Sequence, residues 1–229
     1  MNAVEPVPGY LEGVRDLAHA HGGLFVLDEI ITGYRFALGG AQELFGVTPD
    51  LATLGKGMGN GYAISAVVGR ADIMQLMEKI FFSFTAGGET VGLAAALATI
   101  RKIRDEDVIS HLWRTGERVQ AGLVERLAAH QLDVAIVPVG KPPWLLLGFR
   151  DTGPCTSWQI KTLFIQEMLA RGILIQSSHN FSFAHGAAEI ELLFAAYDEV
   201  LPILADAVHN DAMDHLLQGP VMQPLFQVR

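Results

Sequence analysis

The chain has 229 residues, half of them apolar and 18% charged, with a formal net charge of −9. That apolar content supplies a buried core and excludes a disordered chain, while the acidic balance, without a cluster of Lys and Arg, argues against nucleic acid and anionic membrane as partners. The single Cys155 has no partner for an internal disulfide, the start has no charged-then-apolar signal pattern, and no apolar run reaches membrane-spanning length, so a cytoplasmic location is expected.

In chain order, Leu11, Val14, Leu17 and Ala18 recur at helical spacing and His21-Gly22-Gly23 stops the pattern, which predicts a helix over 10–20. Leu24-Phe25-Val26-Leu27 is a short continuous apolar run ending in Asp28-Glu29, the pattern of a strand buried on both faces of a parallel sheet. Asp50 to Leu54 leads into Gly55-Lys56-Gly57-Met58-Gly59-Asn60-Gly61, and 64–68 reads as a further strand, so Lys56 is expected on a glycine-rich turn between strands. Helices are predicted over 90–103 and 108–130. Strands at 133–139 and 144–149 follow, joined by a Gly-Lys-Pro-Pro turn, then a helix over 157–170, a short strand at 173–176 and a helix over 187–208. This order predicts two domains, 1–107 of α/β type and 108–229 of small α+β type.

Three features could carry chemistry. Asp28 closes a buried strand, and ligands of open α/β sheets bind at carboxyl ends of strands, although a helix cap or loop ion pair would use the same residue. Lys56 is flanked by Gly55, Gly57, Gly59 and Gly61, which let backbone approach a ligand closely, although a solvated loop lysine would look alike. A nucleotide-hydrolase phosphate loop is excluded, because Gly57 rather than Ser or Thr follows the lysine. Ser83-Phe84-Thr85-Ala86-Gly87-Gly88 sets a hydroxyl and open amides before a helix, as an anion site or an ordinary helix-start turn would.

Taken together, Leu-Phe-Val-Leu-Asp-Glu-Ile-Ile-Thr-Gly-Tyr-Arg, Pro-Asp-Leu-Ala-Thr-Leu-Gly-Lys-Gly-Met-Gly-Asn-Gly and Phe-Thr-Ala-Gly-Gly resemble the class III aminotransferases. The resemblance is closest to the glutamate-1-semialdehyde 2,1-aminomutase branch, and the phrases Gly39 to Asp50 and Phe183-Ala184-His185 extend it into the linker and the small domain, over nearly all of the chain. The resemblance implies fold type I of the pyridoxal-phosphate enzymes: the later part of the large domain, a mostly parallel sheet with helices, followed by the small α+β carboxyl-terminal domain. It implies pyridoxal 5'-phosphate as cofactor, Lys56 as the Schiff-base lysine and proton carrier, and Asp28 as the partner of the pyridine nitrogen. It also implies Ile30 as the branched residue packed on the cofactor ring, on the same side of the strand as Asp28. Thr85 matches a threonine that reaches the cofactor phosphate of the other subunit, so a homodimer is implied. No metal is called for.

Family members are about 400 residues or more, and their amino-terminal half supplies the phosphate turn, the stacked aromatic residue and much of the substrate pocket. The chain therefore reads as beginning in mid-domain, needing a complementary amino-terminal half, with an exposed sheet edge and apolar face in its absence. The expected function is amino-group transfer on a small amino-acid, amine or keto substrate. A non-catalytic truncated remnant or interaction subunit of the same fold is the alternative.

Overall fold

Residues 4–82, 84–210 and 212–224 are described by a computed structural model of the chain, which divides into two units, Glu5–His111 and one running from Leu112 onward.

The first unit opens with α1 (Tyr10–Ala20), which ends where Gly22 turns left-handed and Gly23 N–H returns to the Ala18 carbonyl at 2.8 Å. β1 (Val26–Asp28), α2 (Ala41–Phe45) and β2 (Leu51–Leu54) follow. A single 3-10 turn over Lys56–Met58 then leads to β3 (Ala66–Gly69), α3 (Ala71–Met74), a second 3-10 turn at Gln75–Lys79 and α4 (Thr90–Asp105). The sheet order is β1-β2-β3. β1 and β2 run parallel with Asp28 opposite Thr53, and β3 is antiparallel to β2 with Ala66 opposite Leu54. The parallel pairing has the consequence that matters for the site, because it brings the carboxyl ends of β1 and β2 to one edge.

β1 begins at Val26 rather than Leu24, and it is not buried on both faces: Phe25 is covered but Val26 is half exposed. β1 is an edge strand with β2 as its one neighbour, and Val67 and Val68 of β3 are similarly open. At the opposite end of the strands, the buried Asp50 accepts from Phe25 N–H at 2.7 Å, His19 Nε2 at 2.7 Å and Arg70 Nη1 at 2.8 Å. One carboxylate, itself just ahead of β2, thus ties the end of α1 to the residue before β1 and to the residue after β3. The Phe25 amide, then the His19 and Arg70 side chains, hold its carboxyl well below the usual carboxylate range. Because the folded group resists protonation, this contribution is present above the ordinary carboxylate pKa and is lost as acid is added below it.

In the second unit α5 (Val108–Ala129), inside which the division falls, is followed by β4 (Ile136–Val139), β5 (Trp144–Phe149) and α6 (Ser157–Ala170). β6 (Ser178–Asn180), α7 (Ala187–His209) and α8 (Met213–Leu216) complete it. All pairings in its sheet, ordered β4-β5-β6, are antiparallel. α6 starts on a capping box, in which Thr156 Oγ1 accepts from Gln159 N–H and Gln159 Oε1 accepts from Thr156 N–H. Leu145, Leu163, Phe164, Tyr197 and Leu204 are completely buried where α6 and α7 meet the sheet. Phe164 packs against Phe149 and stacks on Tyr197, with centroids 5.6 and 6.4 Å away.

Phe164→Ala should cost about 3–5 kcal/mol of this unit's stability, because the ring leaves a cavity that a helix–sheet junction cannot close. Trp113, Trp144 and Trp158 all lie in this unit, so the urea midpoint read by tryptophan fluorescence measures it directly. A loss under about 1 kcal/mol would contradict the packing described.

Besides β1 and β3, which start two residues later than expected, two strands of this unit differ from expectation. β4 starts at Ile136 rather than 133, because Ala135 and Ile136 N–H both bond the Leu132 carbonyl in a turn. The apolar run 173–176 is not a strand. Ile173 N–H closes the exit of α6 on Met168 O at 2.9 Å, Leu174 is 85% exposed, and Ser177 adopts a left-handed φ of 96°. Pairing with β5 begins only after that kink, at Ser178.

His179 in β6 is buried and its Nε2 hydrogen bonds to Tyr197 OH, while among the described residues its Nδ1 has no hydrogen-bond partner. Burial lowers its pKa to about 4, with the Leu145 main chain acting weakly the other way. The unfolded histidine takes up a proton near pH 6.5 and the folded one does not, so stability falls as pH drops from about 6.5 toward 4. The expected loss is on the order of 3 kcal/mol across that window. Urea midpoints at pH 7 and pH 5 should differ in the wild type and converge in His179→Gln. An equal acid loss in both proteins would contradict the assignment.

Candidate active site

The site is built where β1 and β2 end side by side. Asp28 is the last residue of β1, and its exposed carboxylate is oriented through one oxygen: Oδ1 accepts from Ile30 N–H at 2.9 Å and from Thr53 Oγ1 at 3.3 Å. Among the described residues Oδ2 has no partner. Glu29 N–H donates to Thr53 O at 2.9 Å, so the pairing of the strands continues one residue past Asp28.

β2 ends at Leu54, and two residues later Lys56 begins the 3-10 turn closed by Met58 N–H on Gly55 O at 2.9 Å. Lys56 has a left-handed φ of 37°, a conformation that costs a residue with a side chain about 1–3 kcal/mol and that concentrates at functional positions. Its side chain is exposed, and among the described residues the ammonium has no hydrogen-bond or ion-pair partner. A free amine and a half-engaged carboxylate therefore stand at the carboxyl edge of two parallel strands, where open α/β sheets bind ligands.

Ile30 does not continue the strand as expected. β1 stops at Asp28, Ile30 lies in the following turn, and its Cδ1 sits 3.0 Å from where a Cβ on Gly55 would be. Its apolar end is thereby placed against the residue preceding Lys56. Thr85 is exposed on a turn closed by Gly87 N–H on Phe84 O at 3.0 Å, just ahead of α4, and α4 packs on the Lys56–Met58 turn. Among the described residues no hydrogen bond joins Thr85 to Asp28 or Lys56. Ser83, part of the same motif, lies outside the described residues.

Two contributors were not singled out from sequence. Thr53 orients Asp28, which only the parallel register could reveal. Glu29 is 1% exposed and accepts hydrogen bonds from Thr32 Oγ1 and from the main-chain amides of Ala41 and Gln42. In the second unit, Ser178, His179, Asn180 and Phe181 border a cavity of about 420 Å³. None of Asp28, Ile30, Lys56 and Thr85 lines it. Among the described residues no cluster of His, Cys, Asp or Glu is arranged to hold a metal, and no helix is long and apolar enough to cross a membrane.

The mixed α/β architecture is that of the pyridoxal-phosphate transaminases. The FumI protein of Sphingopyxis sp. MTA144, solved in its PLP internal aldimine form, superposes with a TM-score of 0.82 at 24% identity, over 90% of this chain and 49% of that one. An omega-transaminase from Sphaerobacter thermophilus gives 0.79 at 23% identity, over 89% and 49%. The family model for aminotransferase class III matches residues 2–184. A 3-aminobutyryl-CoA aminotransferase of Cloacimonas acidaminovorans (strain Evry) is 36% identical over 179 residues, which are 76% of this chain and 42% of that protein. The chain belongs to the class III aminotransferase family, an enzyme family whose cofactor is pyridoxal phosphate. It spans about half the length of the relatives it matches.

The residues at the strand ends fit that cofactor. Asp28 Oδ2 is open to a protonated ring nitrogen, the Lys56 amine is unengaged, and Ile30 against Gly55 offers an apolar surface beside them.

Proposed function

We propose that this chain supplies the lysine and the aspartate of a pyridoxal-phosphate-dependent amino-group transfer site. The observation that carries the reading is the placement of Asp28 and Lys56 at one edge of two parallel strands, each with its functional atom unengaged. Pyridoxal phosphate, when bound, supplies an electron sink for the carbon that carries the amino group. Asp28 holds the proton on the ring nitrogen, because an anion within hydrogen-bond reach raises that nitrogen's pKa. Lys56 would hold the cofactor through its amine and, as a free amine, would carry the proton to and from the substrate carbon that bears the amino group. Ile30 packs on the ring. Thr85 completes the phosphate site of a second subunit, so the working form is a homodimer or a pairing with a complementary amino-terminal half, located in the cytoplasm. Residues 1–107 are the cofactor-bearing part and 108–229 the small carboxyl-terminal domain.

Within the class, the resemblance to the glutamate-1-semialdehyde aminomutase branch favours an aminomutase-like reaction, although the two reactions share their catalytic residues. The Cloacimonas relative, named for transfer of an amino group on an acyl-CoA, favours an aminotransferase. The two separate by acceptor dependence: an aminomutase turns over its substrate without an added keto acid, and a transaminase does not. The test of the shared chemistry is a spectral titration with pyridoxal phosphate and an amino-donor assay, run on the 229-residue chain and again with a complementary half supplied. The chain alone should bind weakly and transfer no amino group, and the complemented form should do both. A complemented form with neither property supports a non-catalytic remnant.

A further inference from the structure

We propose that Glu29 is a positioning residue that locks the spacing between Asp28 and the Lys56 turn by clamping the loop 29–42 shut. The inference rests on the proposed function for its consequences, but its geometry stands by itself. Glu29 follows Asp28 directly and is 1% exposed. Its carboxylate reaches over the loop to the start of α2, where Ala41 N–H donates to Oε2 and Gln42 N–H to Oε1, both at 2.8 Å, and Thr32 Oγ1 also donates to Oε2. Three uncharged donors thus converge on one buried anion, and such charge-assisted bonds are the stronger class.

The main chain of Glu29 fastens the same loop from beneath. Its N–H donates to Thr53 O in β2, and its carbonyl accepts from Gly33 N–H at 2.8 Å. Two glycines make the closure possible. At Gly40, φ is +80°, and a Cβ would lie 2.5 Å from Glu29 Oε2; at Gly33 it would lie 2.7 Å from Leu54 Cδ2 and 2.8 Å from Glu29 O. The clamped loop then reaches the lysine turn, since the Gly33 carbonyl is 3.7 Å from the Cβ position of Gly57 and Ile30 abuts Gly55. Glu29 therefore connects, through one closed loop, the strand end that carries Asp28 and the turn that carries Lys56.

Glutamine cannot replace it. Oε1 and Oε2 both accept N–H donors, so either orientation of the amide turns an NH₂ group against another donor. The test compares Glu29→Gln with Asp50→Asn, which destabilises the same unit from the opposite end of its strands. Hydrogen exchange of the cofactor-free protein is read first. Glu29→Gln should speed exchange at Ala41 and Gln42 and also at Met58 and Gly59 by at least about tenfold, whereas Asp50→Asn at matched melting temperature should leave Met58 and Gly59 unchanged. Thr32→Val, which removes one donor, should act in the same direction by less, and it keeps the test decisive if Glu29→Gln does not fold. In the cofactor-loaded, complemented form, Glu29→Gln should weaken retention and shift the pH dependence of the visible band, and Asp50→Asn should not. Equal effects of Glu29→Gln and Asp50→Asn on the turn amides would overturn the inference and leave Glu29 a stability residue. A wild type with no Lys56-dependent adduct would instead overturn the proposed function, and the catalytic meaning of the clamp with it.

Discussion

Lys56→Ala is expected to abolish the borohydride-trapped cofactor adduct and to lower amino-transfer turnover by at least about 10²–10⁴-fold in the complemented form. Two separate jobs disappear with one amine. The covalent anchor goes, so cofactor must be held by phosphate and ring contacts alone. The proton carrier also goes, and among the described residues of the first unit no other lysine lies at the carboxyl ends of β1 and β2: Lys79 ends the second 3-10 turn and Lys102 is paired with Glu106 on α4. The fold should survive, because the exposed side chain makes no hydrogen bond or ion pair among the described residues and alanine leaves the left-handed backbone cost as it is. Circular dichroism unchanged from wild type, together with lost turnover, is the expected pair of results. Turnover within threefold of wild type, roughly the scatter of a neutral substitution, would remove Lys56 from the mechanism.

Asp28→Asn should separate binding from chemistry. An amide cannot hold the ring-nitrogen proton as a carboxylate does, so turnover should fall by about 10²–10³-fold, the usual cost of deleting one preorganised electrostatic partner. Cofactor retention should change by less than about tenfold, because a neutral hydrogen bond is worth only about 0.5–1.5 kcal/mol and the Lys56 anchor remains. The side chain should keep its place, since an amide oxygen can still accept from Ile30 N–H and Thr53 Oγ1 as Oδ1 does. Steady-state rates at saturating cofactor, alongside a cofactor titration, measure both quantities. Full turnover at saturation would make Asp28 a cap of its own turn and nothing more.

How far the sequence could be read depended on whether a signal was local. The helix at Tyr10–Ala20, the strand at Trp144–Phe149 and the helix at Ser157–Ala170 have the bounds expected of them, because a glycine stop, a short continuous apolar run after a Gly-Lys-Pro-Pro turn and a Thr-x-x-Gln capping box all act within a few residues. The run Ile173 to Gln176 misled because its apolar residues serve the exit of α6, and the left-handed Ser177 that moves pairing to Ser178 has no compositional mark. The same distinction holds at the candidate site. Asp28 and Lys56 were legible as a strand-end carboxylate and a glycine-flanked lysine, since each depends on its immediate neighbours. Thr53 was not, because its bond to Asp28 follows from the register of two strands 25 residues apart. Glu29 was not either: its partners Ala41 and Gln42 lie 12 and 13 residues onward and come back only when Gly40 turns left-handed.

The most direct measurement is peptide mapping of the complemented protein after borohydride reduction with pyridoxal phosphate. The five lysines are Lys56, Lys79, Lys102, Lys141 and Lys161, and one of them is a real rival. Burial lowers the pKa of Lys161, which makes it the lysine whose labelling the map must compare with that of Lys56. The account predicts stoichiometric label on the peptide bearing Lys56, at cofactor concentrations too low to mark Lys161. Label spread over the lysines, or concentrated on Lys161 with Lys56 unmodified, would contradict it.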